Sequence, residues 1–282
     1  AACGLKSVLD DIGGRVVVFG TPDEERTSGK VNFVEAHAFD NIDAVIMCHP
    51  CTESEESGTT LGLGALQFEF RGISAHAALP KEDCRNALDA LVMSYLNINN
   101  LKQYIPGANI YGIIDNGGSR PNIIPDYASM KYYIRAASKK KLQEYMDRVA
   151  GCVRHTARAS GVSVDVTEFE NRVEGLVTNH TLSDVFKENY EKLTTLRLKK
   201  PETYAATSDI GNVSNVVPTI HSWIGITSAG GPALHNPEFT DATMTDFAAG
   251  EMLSAAVAMA QTGYQVITEP ELLQKIRLEF EK

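Results

Sequence analysis

The chain has no excess of positive charge: 26 Lys and Arg against 36 Asp and Glu leave a formal net charge of -10 over 282 residues. That argues against non-specific binding to nucleic acid, which depends on basic surface. It also lacks an apolar run long enough to span a bilayer, since the Ala-rich "FAAGEMLSAAVAMA" is short and interrupted by Glu251. Internal repeats and low-complexity tracts are absent. Cysteine is scarce: Cys3, Cys48, Cys51, Cys84 and Cys152 are an odd number scattered along a long chain. This suggests reduced thiols rather than a disulfide framework. No signal peptide opens the sequence, so the cytoplasm is the expected location. "CHPC", Cys48 to Cys51, has the spacing of a redox pair or half a zinc site, but neither a second CxxC nor a thioredoxin-like helix follows.

What is present is globular: 43% hydrophobic and 22% charged residues, enough for one large or two modest domains. "AACGLKSVLDDIGG" reads as the end of a helix stopped by Gly13-Gly14. "RVVVFGT" is continuously apolar, as a strand buried on both faces should be. A helix over roughly Ser28 to Phe39 leads to a second strand, "DAVIMCH". Strand, helix, strand with short connections is the parallel α/β pattern. From "ALQFEFRGIS" onward the residues alternate, and the elements read β-α-β-β-α-β, four antiparallel strands backed by two helices. The first pattern resumes after about Leu176. The fold expected is therefore α/β: a mostly parallel sheet domain over 1–65 and 178–282, interrupted by an α+β ferredoxin-like unit over 66–177.

In parallel α/β sheets, ligands bind beyond the carboxyl ends of the strands. One such end here presents Asp23, Glu24 and Glu25, and the next presents His49. Adjacent carboxylates repel one another unless a cation or a set of donors faces them. A later loop, "SAGGPALHNPEF", adds His235. One carboxylate and two imidazoles suit zinc or a similar borderline metal. The neighbouring carboxylate can then face a metal-bound water and take its proton, the chemistry of metal-assisted amide hydrolysis. Read singly, each residue also has a plainer explanation: a solvated loop acid, or a surface or core histidine.

The motifs "VVVFGTPDEE", "MCHP", "RGISAHAALP", "NGGSRPNIIPDYASMKYYIRA", "SDIGNVSNVVPTIH" and "ALHNPEF" occur in order along nearly the whole chain. Together they resemble the dinuclear zinc metallopeptidase family of aminoacylases and carboxypeptidase G. The branch of Xaa-Arg (β-alanyl-lysine) dipeptidases and aminobenzoyl-glutamate hydrolases is the most similar. The resemblance implies that Glu24 is the general base and that Glu25, His49 and His235 are metal ligands. It implies a catalytic role for His76 as a lid histidine that reaches a partner subunit's active site and steadies the oxyanion there. Asn122 and Arg135 are implied as contacts to a substrate carboxylate or carbonyl, with Ser208, Asp209, Gly230 and Gly231 near the substrate. The cofactor implied is Zn2+, two per active site in the complete protein, with Mn2+ or Co2+ as alternatives. The partners implied are a dipeptide or N-acyl amino acid and a second copy of the chain, joined through the lid.

The sequence departs from that family at its start. Members carry a further α/β segment with a His-x-Asp or Cys-Gly-His motif, but the first histidine here is His37, and Cys3-Gly4 is followed by Leu5. The catalytic domain is thus expected to lack its N-terminal part and two of its ligands, and His37 is not expected to replace them. Two readings follow: most of a metal-dependent amidohydrolase or dipeptidase, or an inactive truncated member that dimerises or binds ligand.

Overall fold

A computed structural model describes residues 1–79, 82–201, 207–228 and 230–282. Pro80 of "SAHAALP" and Ala229 of "SAGGP" lie outside the described residues. The chain divides into two compact units. One comprises Ala1–Thr60 and most of the chain after Leu176; the other is built on Leu61–Gly175.

In chain order, the first unit opens with two short helices, α1 (Ala2–Lys6) and α2 (Leu9–Ile12), which end at Gly13 and Gly14, both at positive φ. Residues 15 to 21 then run without strand pairing, contrary to expectation. Val17 and Val18 are 43% and 75% exposed, and a cavity of about 650 Å³ is lined both by Val16–Phe19 and by Val45–Met47. A ladder needs backbones about 4.8 Å apart, and this gap prevents it. Phe19 nonetheless anchors the segment, its ring 4.6 Å from that of Phe39 and tilted by 38°.

Helix α3 (Lys30–Glu35) is shorter than the expected span to Phe39. His37 adopts φ 55, and the Ala38 and His37 amides donate to the carbonyls of Phe33 and Val34, a Schellman closure that stops the helix. The His37 side chain is 78% exposed and faces Asp40, so its role is in this turn. Strand β1 (Val45–Cys51) follows. Cys48 and Cys51 both lie in it, three residues apart and so roughly 10 Å along an extended chain, too far for a disulfide. Burial pushes the Cys48 thiol up to about 12.

The second unit contains β2 (Gly62–Arg71), β3 (Ala75–His76), α4 (Ala87–Leu101), a 3-10 turn (Lys102–Tyr104), β4 (Asn109–Asn116), β5 (Ile123–Ile124), β6 (Tyr127–Ala136), α5 (Lys139–Ala159) and β7 (Ser163–Glu168). Strands β4, β6, β2 and β7 form an antiparallel sheet in that order, the β-α-β-β-α-β arrangement read from the pattern. Leu66, Phe68 and Phe70 alternate into the core, and α5 meets them with Leu142, Met146, Val149 and Val153. The Asn86 side chain caps α4 by accepting from the Leu88 and Asp89 amides at 3.0 and 3.3 Å.

The chain returns to the first unit with α6 (His180–Glu191), α7 (Ile210–Ser214), β8 (Thr219–Gly225), α8 (Pro237–Ala242), α9 (Asp246–Thr268) and α10 (Pro270–Phe280). β8 pairs in parallel with β1, Val45 against Thr219 through Cys51 against Gly225. The expected mostly parallel sheet is thus two parallel strands among the described residues, because residues 15 to 21 do not join it. Leu182, Phe186, Tyr190, Ile220, Ile224 and Ile276 form its main core.

The last helix is fastened by charge. Glu279 accepts from the His180 amide at 2.6 Å, the Thr181 amide at 2.9 Å and the Thr181 hydroxyl at 2.5 Å, at the N-terminus of α6. Burial alone would raise this carboxyl, but the Thr181 and His180 hydrogen bonds outweigh it and hold it below the usual range. The stabilisation is therefore complete above the unfolded value of about 4.3 and is lost as pH falls through the lower folded value. Replacing Glu279 by Ala is expected to cost about 1–2 kcal/mol at neutral pH, as for a lost N-cap, with the difference from the parent shrinking below pH 4. Thermal melts at two pH values check this.

Candidate active site

The acid-rich turn is shaped by its own backbone. Asp23 sits at φ 64 and Ser28 at φ 58, both in the left-handed region that non-glycine residues seldom occupy. The Asp23 carbonyl accepts from the Thr27 and Ser28 amides at 3.2 and 3.0 Å, and its carboxylate accepts from the Thr27 hydroxyl. A β-carbon at Gly29 would lie 2.1 Å from the Pro22 carbonyl oxygen, so only glycine lets the turn close. Asp23 is thus used within the turn. Glu24 is half-buried and Glu25 is exposed. Non-glycine strain of this kind collects at functional sites.

Beyond the turn, Lys30 is only 6% exposed. Its amide donates to Asp209 Oδ2 at 2.9 Å and its ammonium to Oδ1 at 2.8 Å. Asp209 is 1% exposed, with both carboxylate oxygens engaged by Lys30. Ser208 beside it is half-buried.

His49 projects from β1. Its Nδ1 lies 2.8 Å from the Pro50 carbonyl, which can only accept, so Nδ1 carries a proton and, in the neutral ring, the lone pair is on Nε2. A backbone carbonyl fixing the tautomer in this way is the usual support of a metal-binding imidazole. The ring packs against Trp223 at 4.8 Å and His221 at 5.8 Å. His221 is 2% exposed; burial, together with the nearby His49 and Lys30, lowers it to about 3. It is neutral at physiological pH and adds no charge beside His49, and its Nε2 has no hydrogen-bond partner among the described residues.

His235 is exposed at φ 64, just before α8. In the preceding loop Gly230 has φ 78, and a β-carbon at Gly231 would lie 2.6 Å from Thr227. Both glycines are therefore required by the turn itself. Among the described residues no group of three or more His, Cys, Asp and Glu side chains could hold a metal ion. Glu25, His49 and His235 do not make such a group, and the donors of this chain do not by themselves fit a two-metal site.

In the second unit, β3 and β5 pair antiparallel with His76 opposite Ile123, and the Ala77 amide donates to the Asn122 carbonyl at 3.0 Å. His76 and Asn122, both exposed, are brought together by this ladder. The Ala78 amide donates to His76 Nδ1 at 3.2 Å, which leaves a neutral ring with its proton on Nε2 as a free donor. Arg135 is half-buried on β6, its guanidinium 5.9 Å from the Tyr111 ring centroid.

The model of peptidase family M20/M25/M40 matches residues 1–259. The chain belongs to this family. The Xaa-Arg dipeptidase of Mus musculus is 37% identical over 289 residues, covering 99% of this chain and 66% of that protein. A p-aminobenzoyl-glutamate hydrolase polypeptide of Escherichia coli (strain K12) is 28% identical over 342 residues, covering 100% of this chain and 71% of that protein. These are relatives from the branch that the motifs resemble. A dinuclear metal-binding M20 peptidase from Bacillus subtilis shares the fold, with a TM-score of 0.65 at 17% identity over 93% of this chain and 70% of that one. The M20 chain thus spans about two thirds of the length of these relatives. No helix among its described residues is long and apolar enough to cross a membrane.

Two residues of this region carry no motif signal of their own, Lys30 and Trp223. His221 closes the motif "SDIGNVSNVVPTIH", and the i, i+2 spacing of "IHSWIG" puts Trp223 on the same face of β8.

Proposed function

We propose that the complete protein is a metal-dependent hydrolase of amide bonds in dipeptides or N-acyl amino acids. The observation that carries this reading is the 37% identity to Xaa-Arg dipeptidase along 99% of the chain, with "DEE", His49, His76 and His235 all present. Glu24, half-buried in a strained turn, is the general base that removes the proton from the attacking water. In a dimer of the complete protein, His76, with its Nε2 proton free, reaches the partner subunit's active site and supplies a donor to the carbonyl oxygen as charge develops there, and Asn122 lies beside it in the lid. Arg135 offers a fork suited to a carboxylate on the substrate. A divalent metal, with zinc the one expected, belongs to the same proposal; Glu25, His49 and His235 are the donors this chain contributes. Assays of the complete protein against dipeptides with basic C-terminal residues and against aminobenzoyl-glutamate test the proposal and separate the two substrate types. No turnover of either would count against it.

A homodimer through the inserted unit also belongs here. β4 is the edge of its sheet, and Tyr111, Ile113 and Ile114 on it are 44%, 62% and 45% exposed. An edge of this kind can pair with its copy across a two-fold axis.

The second reading, an inactive family member, makes a different prediction for this chain. Zinc titrated into this chain alone is expected to show no pair of tight sites by calorimetry. Two tight sites would contradict that and return this chain to the active class.

A further inference from the structure

We propose that Lys30 and Asp209 are positioning residues that hold the acid turn, and with it Glu24, in its working geometry. This rests on the reading of Glu24 as the base. Asp209 stands at the N-cap of α7, where an aspartate ordinarily accepts from its own helix, yet it makes no such bond. Instead both oxygens cross 179 residues of sequence to Lys30, one to its amide and one to its ammonium. The side chains are 7% and 0% exposed. Taking two charges out of water is costly, and a fixed register is the best-attested use of such a pair.

The register fixed here is that of residues 23 to 30. At one end Asp23 is clamped by Thr27 and Ser28; at the other, the amide of Lys30 is bonded to Asp209. Glu24 and Glu25 lie between these two points, on a loop that Gly29 lets pass within contact of Pro22. Freeing the Lys30 end removes one of these two fixed points. A misplacement of about 1 Å at a reacting group can cost on the order of 100-fold in rate.

The test uses the complete protein and the double variant Lys30→Met with Asp209→Leu, which replaces the pair by apolar side chains of similar size. The expected result is a melting temperature near that of the parent and kcat lower by about 10- to 100-fold. KM should change less than about threefold, and amide hydrogen exchange should quicken at least about tenfold in the peptide over residues 20–29 alone. Parent-like kcat and parent-like exchange in that peptide would overturn the proposal. Should the double variant fail to fold, the same measurements on Asp209→Asn decide in the same way. Glu24→Gln separates the two levels. If it leaves turnover intact, the base assignment has failed; if it abolishes turnover while the double variant keeps full kcat, the positioning role has failed.

Discussion

Replacing Glu24 by Gln in the complete protein is expected to lower kcat by about 100- to 10,000-fold, the usual contribution of a positioned general base. That is about 3–5 kcal/mol of lost transition-state stabilisation. The amide is nearly isosteric with the carboxylate and can still accept through one oxygen, so the turn keeps its shape, but it cannot take a proton at neutral pH. KM and the amount of bound metal should stay at the parent values. The carboxylate at Glu25 has a different task in this reading, and Glu25→Gln should lower metal content first and turnover as a consequence. Measuring metal content and kcat together on both variants distinguishes the two acids. Equal loss of metal in both would show that the roles had been divided wrongly.

The second large effect concerns stability. Lys30→Met removes the cation that faces Asp209 and leaves a carboxylate whose side chain is 0% exposed without its partner. Breaking a buried pair from one side costs about 3–5 kcal/mol, because the remaining charge keeps its desolvation penalty and loses its compensation. The melting temperature should fall accordingly. Adding Asp209→Leu should recover most of the loss, since buried pairs can often be replaced by apolar groups at little cost. A double variant less stable than Lys30→Met alone would mean that Asp209 has other work in the fold.

How far the sequence can be read follows from the range of the forces involved. The inserted unit is legible because each of its strands buries one face: "ALQFEF" alternates, and Leu66, Phe68 and Phe70 are indeed the inward residues. α9 and α10 are legible for similar reasons of composition and capping, Thr245 accepting from the Ala248 amide at the start of α9. "RVVVFGT" misleads because continuous apolarity reports a taste for burial, not the presence of a neighbour at hydrogen-bonding distance. In the structure these valines line a cavity beside β1 instead of extending its ladder.

The site is legible where motif and local backbone coincide. The acid turn, His49 at a strand end and the joining of His76 with Asn122 across β3 and β5 all depend on residues near in sequence or on an order of motifs. The Lys30–Asp209 pair depends on neither. A lysine after Gly29 reads as an ordinary first-turn residue, and only folding shows that its partner lies 179 positions away. For the same reason the motif order says nothing of the pairing that occupies both oxygens of Asp209. Nor does it show that Gly231 is needed to clear Thr227 of the same loop.

The central proposal is that the complete protein brings Glu25, His49 and His235 to one metal centre, which the described residues of this chain do not form by themselves. Anomalous diffraction at the zinc edge, on crystals of the complete protein, measures this directly. The account predicts zinc within about 2.0–2.2 Å of the Glu25 carboxylate, His49 Nε2 and a ring nitrogen of His235, distributed over the two ions. Zinc held elsewhere, with Glu25 and His235 pointing into solvent, would contradict it.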